Sequence, residues 1–124
     1  MTNQDIRNAY QIVEEMRNSN ETYPLRVSDA LFRVKKALQD QWDFQQEEIQ
    51  KLYDRLKPEA EGDKLHFADT KDAQEFADKI NELSTMEVEL EFTKPKIRIS
   101  LAETAGFTLT QREVLDVFID FVDD

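Results

Sequence analysis

The sequence predicts a mainly helical α+β fold, in which about four helices, one of them long, pack with one antiparallel β-hairpin. Apolar residues recur every three or four positions over most of the chain, and this period shortens to two over residues 86–101. Hydrophobic residues make up 40% of the chain and include eight Phe, whereas there are only two Gly and three Pro, which favours an ordered core. Because 124 residues is the size of one ordinary domain, we predict a single domain over residues 1–124.

The first two helices are predicted from continuous apolar stripes. A short helix over 4–18 carries its stripe at Ile6, Tyr10, Val13 and Met16. A loop, SNETYP, follows. Pro24 can occupy the first turn of a long helix over 25–57, because the N–H that proline lacks would have no hydrogen-bond partner in that turn. The stripe of the long helix consists of Val27, Leu31, Val34, Leu38, Trp42, Ile49, Leu52 and Leu56.

Three positions in the middle of the long helix leave alternatives open. Gln41 and Gln45 lie beside the stripe, where they are either exposed, which we favour, or hydrogen-bonded partners that fix register. Trp42 is either a core anchor, which we favour, or a half-exposed interface residue.

A connector then leads to a third helix and a hairpin. Asp69 or Thr70 caps a helix over 70–84, whose stripe is formed by Ala73, Phe76, Ala77, Ile80 and Leu83. Strict alternation then predicts a β-hairpin over 86–101, with a turn at Lys94-Pro95. Its core-facing side chains are Val88, Leu90 and Phe92 on one strand, opposite Leu101, Ile99 and Ile97 on the other.

The last predicted element is a helix over 111–122, because Thr110 and Glu113 have the spacing of a capping box. Its apolar residues cover more than half of its circumference, so part of this face is surplus to one core-facing stripe. The surplus face predicts a homodimer through the last helix, made by Val114, Phe118, Ile119, Phe121 and Val122.

Charge and cysteine content restrict the partners and the compartment. The net charge of −11 disfavours direct nucleic-acid binding, which needs a basic face. The absence of Cys is compatible with a reducing compartment, and the N-terminal residues lack the layout of a signal peptide. No stretch approaches the roughly 20 apolar residues of a membrane span. We therefore expect a soluble, cytoplasmic protein that does not bind membranes.

The inventory of reactive side chains argues against an enzyme. There is no Cys, His66 is the single His, and Gly62 and Gly106 are isolated rather than part of a phosphate loop. We therefore assign no catalytic, cofactor-binding or metal-binding residue and expect no cofactor.

The candidate partner-binding site is an acidic surface shared by the hairpin and the last helix. Its members are Glu87, Glu89, Glu91, Asp116, Asp120, Asp123 and Asp124. The alternative, which we favour, is that they are merely the solvent sides of two amphipathic elements. Cations of the long helix pose the same choice: Arg26, Arg33 and Lys36 project to roughly one side, which is either a solvated face or a surface for an acidic partner.

The order of elements also resembles a known group of proteins. The resemblance is carried by the segments PLRVSDALFRVKKAL and EEIQKLYDRL, by a Gly-Asp connector, and by the strand EVELEF. The chain resembles a family of small uncharacterised proteins encoded by bacteriophages and prophages of Gram-positive bacteria. The resemblance implies a phage origin and, with it, a host-cell cytoplasmic location, but no residue roles.

Two functions therefore stand as hypotheses. The first is a non-enzymatic, phage-encoded protein-interaction module, acting in the virion, in assembly or on a host protein. The alternative is an acidic inhibitor that mimics nucleic acid and occupies a host defence protein such as a nuclease or CRISPR effector.

Overall fold

The computed structural model describes all 124 residues and confirms the mainly helical α+β class. Its elements, in chain order, are α1 (Asn3–Asn18), α2 (Leu25–Leu56), β1 (Glu59–Glu61), β2 (Lys64–His66), α3 (Thr70–Thr85), β3 (Lys96–Arg98), α4 (Ile99–Thr104), α5 (Leu109–Leu115) and β4 (Asp120–Val122). The three helices predicted over 4–18, 25–57 and 70–84 thus correspond to α1, α2 and α3.

Helices α1 and α2 pack along each other and form most of the core. A capping box starts α1, in which the Thr2 hydroxyl accepts from the Asp5 N–H and the Asp5 carboxylate accepts from the Thr2 N–H. Because the apolar residues of both helices follow the helical period, one stripe of each faces the other. The fully buried members of these stripes are Ile6, Ala9 and Val13 on α1 and Val27, Leu31, Val34 and Leu38 on α2.

The antiparallel hairpin lies in the connector between α2 and α3. Strand β1 pairs with β2, with Glu59 opposite His66, and Gly62 supplies the positive φ of 62° that the tight turn requires. Helix α3 starts at the N-cap Asp69, whose side chain accepts from the Asp72 N–H.

The hairpin predicted over 86–101 is wrong. Residues 88–95 form no strand, and the backbone near Glu87 instead meets the N-terminus, where the Val88 N–H donates to the Met1 carbonyl at 2.8 Å. Strand β3 pairs in parallel with β4, with Ile97 opposite Phe121. Alternation specifies an extended chain with one buried side but not its pairing partner, so the facing was right for Val88, Leu90 and Phe92, which pack on the core, and for Ile97, which is 1% exposed. Ile99 and Leu101 instead belong to helix α4, where Leu101 packs against the core and Ile99 is not part of the core cluster.

The continuous helix predicted over 111–122 is also wrong. The capping box is formed by Thr108 and Gln111, so α5 starts at Leu109 and ends at Leu115. The chain then turns and extends as β4, which is consistent with the strand preference of its aromatic and β-branched residues. Helices α4 and α5 connect the parallel strands, which a tight turn could not do, and α4 was not predicted.

The predicted homodimer loses its apolar basis in this arrangement. Phe118 and Ile119 are both fully buried in the core of the single chain, and Val114 and Phe121 pack against that core. Of the large apolar side chains in this region, Leu109 and Val117 remain exposed, at 75% and 39%. The homodimer itself stays a prediction.

Candidate functional site

All seven members of the predicted acidic surface are exposed, but their surroundings are not uniformly negative. The Glu87 carboxylate forms an ion pair with the N-terminal ammonium at 3.3 Å. At the other end, the Lys94 ammonium donates to the Asp116 carbonyl at 3.1 Å, and Lys96 is the ladder partner of Asp120. Cations of the 94–98 segment therefore lie beside Asp116 and Asp120, because β3 pairs with β4 and not with the Glu-rich segment.

A different surface combines exposed apolar side chains with a defined shape. A groove of about 350 Å³ runs between α2 and α3, and we call it the α2–α3 groove. Its apolar lining comes from both helices and from the residue after α3, namely Phe44, Leu52, Leu83 and Met86. Phe44 and Met86 are 38% and 41% exposed, so their apolar atoms are available to a partner.

The charged rim of the α2–α3 groove is internally paired. Lys51 pairs with Glu48 at 3.2 Å, and Lys79 pairs with Glu82 at 3.7 Å. Arg55 bridges the two helices through Glu75 at 2.7 Å. Because each rim cation already has a carboxylate partner, the rim has little charge left to select a partner by electrostatics.

A buried polar network supports one end of the groove. The Asn3 amide donates to the Leu83 carbonyl at 2.9 Å and accepts from the Gln41 Nε2 at 2.8 Å. Gln45 is fully buried and donates at 3.3 Å to the Asn3 carbonyl and side-chain oxygens. The favoured exposure was therefore wrong for Gln45, and the register-fixing alternative describes it: Asn3 ties the start of α1 to α2 and to the end of α3. Since Asn3 also contacts the Met86 sulfur at 3.7 Å, the network positions the groove wall.

Trp42 lies at the α1–α2 contact, half-buried against the core, and not on the groove. Its ring stacks on Tyr10 with centroids 4.3 Å apart, and the Arg7 guanidinium lies 5.0 Å from the ring centroid. Partial burial lowers the pKa of Arg7, which still remains cationic at neutral pH. The cation–π contact offsets part of the cost of that burial, so the core-anchor interpretation describes Trp42 better than the interface one.

His66 is exposed on β2 and lies 2.6 Å from the Glu61 carboxylate. No group of three or more His, Asp or Glu side chains has the geometry to hold a metal ion. None of the helices has the length and apolar content needed to cross a bilayer.

Sequence reasoning missed the α2–α3 groove, although it contained a signal. Phe44 lies two positions after Trp42 and outside the apolar stripe of α2, and an aromatic residue off the stripe of a helix indicates a second contact face. Met86 is the first residue of the hairpin that was predicted over 86–101, so it was not considered as a contact for helix α2.

Comparison with known proteins adds no family to this description, because no protein-family model, curated protein or solved structure matches the chain.

Proposed function

We propose that the protein is a non-enzymatic protein-interaction module that receives an apolar segment of a protein partner in the α2–α3 groove. The observation that carries this proposal is the groove itself, in which half-exposed Phe44 and Met86 stand between charged side chains that are already paired. Apolar and aromatic anchors set in a polar rim are typical of the energetic centre of a protein interface. The resemblance to phage proteins supports a partner from the virion, from assembly or from the host.

The groove suits an amphipathic helix better than an extended strand. Its walls are two helices, and a helix binds such a groove through apolar side chains spaced three and four residues apart. Both strand pairs lie elsewhere, in the 59–66 connector and at the 96–98 and 120–122 segments, so no strand edge borders the groove.

Two substitutions test this proposal on a partner recovered from host lysate. Phe44→Ala and Met86→Ala should each weaken binding by at least about tenfold, because removal of a central anchor commonly costs more than about 1.4 kcal/mol. Leu25→Ala is the matched control, since Leu25 is 87% exposed on the same helix but outside the groove. Binding is measured by biolayer interferometry, with circular dichroism to check the fold.

Salt separates this proposal from its alternative. Binding in the groove should change by less than about threefold between about 50 and 500 mM salt, because the rim charges are paired and apolar contacts are not screened. If Phe44→Ala, Met86→Ala and Leu25→Ala all bind as the wild type does, the groove is not the site.

The acidic nucleic-acid mimic is the second candidate. It is favoured by the net charge of −11 and by the exposure of the seven carboxylates, of which only Glu87 forms an ion pair. If it is correct, the triple variant Glu89→Gln, Asp116→Asn and Asp120→Asn should slow association with the partner and flatten its salt dependence, since steering acts mainly on the on-rate. The groove variants should then bind normally.

A further inference from the structure

A second pocket, of about 510 Å³, lies where α2, β3, α4 and β4 meet, and we call it the basic pocket. It is lined by the cations Arg26, Lys96 and Arg98, by the hydroxyl residues Ser100 and Thr104, and by the apolar residues Ile97, Leu101 and Val122. No carboxylate lines it, although the chain has 27 acidic and only 16 basic residues. The charge of this pocket is therefore opposite to that of the whole chain.

The parallel pairing of β3 explains why the cations converge. Lys96 and Arg98 are two residues apart on a strand and so share one face, whereas Ile97 between them is 1% exposed and packs into the core. Strand β3 packs against α2, which brings in Arg26 from the first turn of that helix. Helix α4 follows β3 directly and adds the hydroxyl groups of Ser100 and Thr104.

The three cations of the basic pocket have no carboxylate partner. None of the seven ion pairs in the structure includes them, whereas the neighbouring α2 cations Arg33 and Lys35 pair with carboxylates. Asp120 is the ladder partner of Lys96, but its side chain does not line the pocket. Asp123 and Asp124 follow Val122 and form no ion pair either. Three like charges held together repel one another, and a bound anion would relieve this repulsion.

We propose that the basic pocket binds a small phosphate ester that carries an apolar or aromatic group. Arginine guanidinium forks and a lysine ammonium are the side chains that bind phosphate oxygens, and the Ser100 hydroxyl can donate a further hydrogen bond. The apolar side chains of Leu101 and Val122 are half-buried at the same pocket and offer contacts to the remainder of the ligand. A pocket of this volume has the size of typical small-molecule sites.

Charge distribution selects a compact ligand over an extended polyanion. A nucleic acid or an anionic membrane would reach beyond the pocket and meet the field of a chain with net charge −11. A ligand of nucleoside-monophosphate size stays close to the three cations, and carboxylates farther away than about 8 Å are largely screened at physiological salt. The carboxylates that remain near the ligand are Asp120, Asp123 and Asp124, none of which lines the pocket.

The probes for this proposal are AMP, inorganic phosphate and hexaglutamate, each titrated into the full chain and followed by isothermal titration calorimetry and NMR chemical shifts. AMP should bind saturably and more tightly than inorganic phosphate, with shifts centred on β3 and α4. Arg98→Gln and Arg26→Gln should each weaken AMP binding by at least about tenfold, since each removes a charge-assisted hydrogen bond. Arg33→Gln changes the charge of α2 equally outside the pocket and should leave the affinity within about twofold.

Several results would overturn the proposal. One is the absence of saturable AMP and phosphate binding, and another is an equal loss of affinity in Arg33→Gln and Arg98→Gln. Tighter binding of hexaglutamate than of AMP would replace the phosphate ester by an acidic peptide. Since the substituted side chains are exposed, the fold should survive, and Lys96→Gln repeats the test if either arginine variant unfolds. Phe44→Ala should bind AMP normally, so the groove and the pocket fail or succeed separately.

Discussion

The buried network around Asn3 allows a sharp test of the fold, because Asn3 and Gln45 are both fully buried polar residues but differ in how well they are satisfied. Asn3 makes two short side-chain hydrogen bonds, to the Leu83 carbonyl at 2.9 Å and from Gln41 at 2.8 Å. Gln45 makes only bonds of 3.3 Å, and its Oε1 is buried without a partner. Truncating Asn3 should therefore lower the free energy of unfolding by more than replacing Gln45 does.

The magnitude for Asn3→Ala follows from the groups that it leaves behind. Two lost hydrogen bonds cost about 1 kcal/mol each, and the buried Leu83 carbonyl, left without its donor, adds about 1 kcal/mol or more. Alanine has a helix propensity better than that of asparagine by roughly 0.5 kcal/mol, which offsets part of this loss. We expect the free energy of unfolding to fall by about 2–3 kcal/mol, a large share of the roughly 5–15 kcal/mol that holds such a domain folded.

Gln45→Met is the matched comparison for Asn3→Ala. It conserves volume, removes the unpaired Oε1 and gives up only long hydrogen bonds, so it should change the free energy of unfolding by less than about 1 kcal/mol. Urea denaturation followed by Trp42 fluorescence and by circular dichroism gives both values, provided that the denaturant slope is unchanged. A loss below about 0.5 kcal/mol for Asn3→Ala, or equal losses for the two variants, would refute the reasoning.

Three further predictions concern stability and assembly. Ile97→Ala should lower the free energy of unfolding, measured by urea denaturation, by about 2–5 kcal/mol, because Ile97 is 1% exposed. Leu90 is only half-buried, so Leu90→Ala should lower it by about 1–2 kcal/mol. Equal losses for the two variants would contradict the burial described for these residues. Lys57→Gly should raise the free energy of unfolding by up to about 1 kcal/mol, and the melting temperature with it, because Lys57 ends α2 at a φ of 45°, where glycine is unstrained. A lower melting temperature would contradict this. If the homodimer exists, light scattering at high micromolar concentration should detect it and Leu109→Ser should dissociate it, whereas a wild-type monomer would end that prediction.

The elements that could be predicted from sequence are those whose signals are local. Helices α1, α2 and α3 each combine a helical apolar stripe with a capping or terminating residue inside the same segment, as Thr2 and Asp69 illustrate. The alternation of residues 87–92 correctly predicted which side chains face the core, because facing depends on the chain's own period.

The parts that could not be predicted depend on pairing between distant segments. Nothing near Ile97 in sequence specifies that it pairs with Phe121 rather than with Phe92, since both partners are apolar and of similar size. The choice is made by the whole core, where parallel pairing lets Ile97, Phe118 and Ile119 all become buried. The basic pocket combines side chains from α2, β3, α4 and β4, so it could not be predicted before the pairing of β3 with β4 was known, whereas the α2–α3 groove left only the single signal of Phe44.

The geometry of α2 makes the two surfaces energetically independent. Phe44 of the α2–α3 groove and Arg26 of the basic pocket are on the same helix, and a rise of 1.5 Å per residue separates them by about 27 Å. This distance exceeds the screening length of roughly 8–10 Å at physiological salt, and substitutions more than about 10 Å apart that share no partner usually act additively. An anion in the basic pocket therefore cannot alter groove binding through its charge. Any measured coupling between the two ligands would have to pass through a change in the packing of α2 itself.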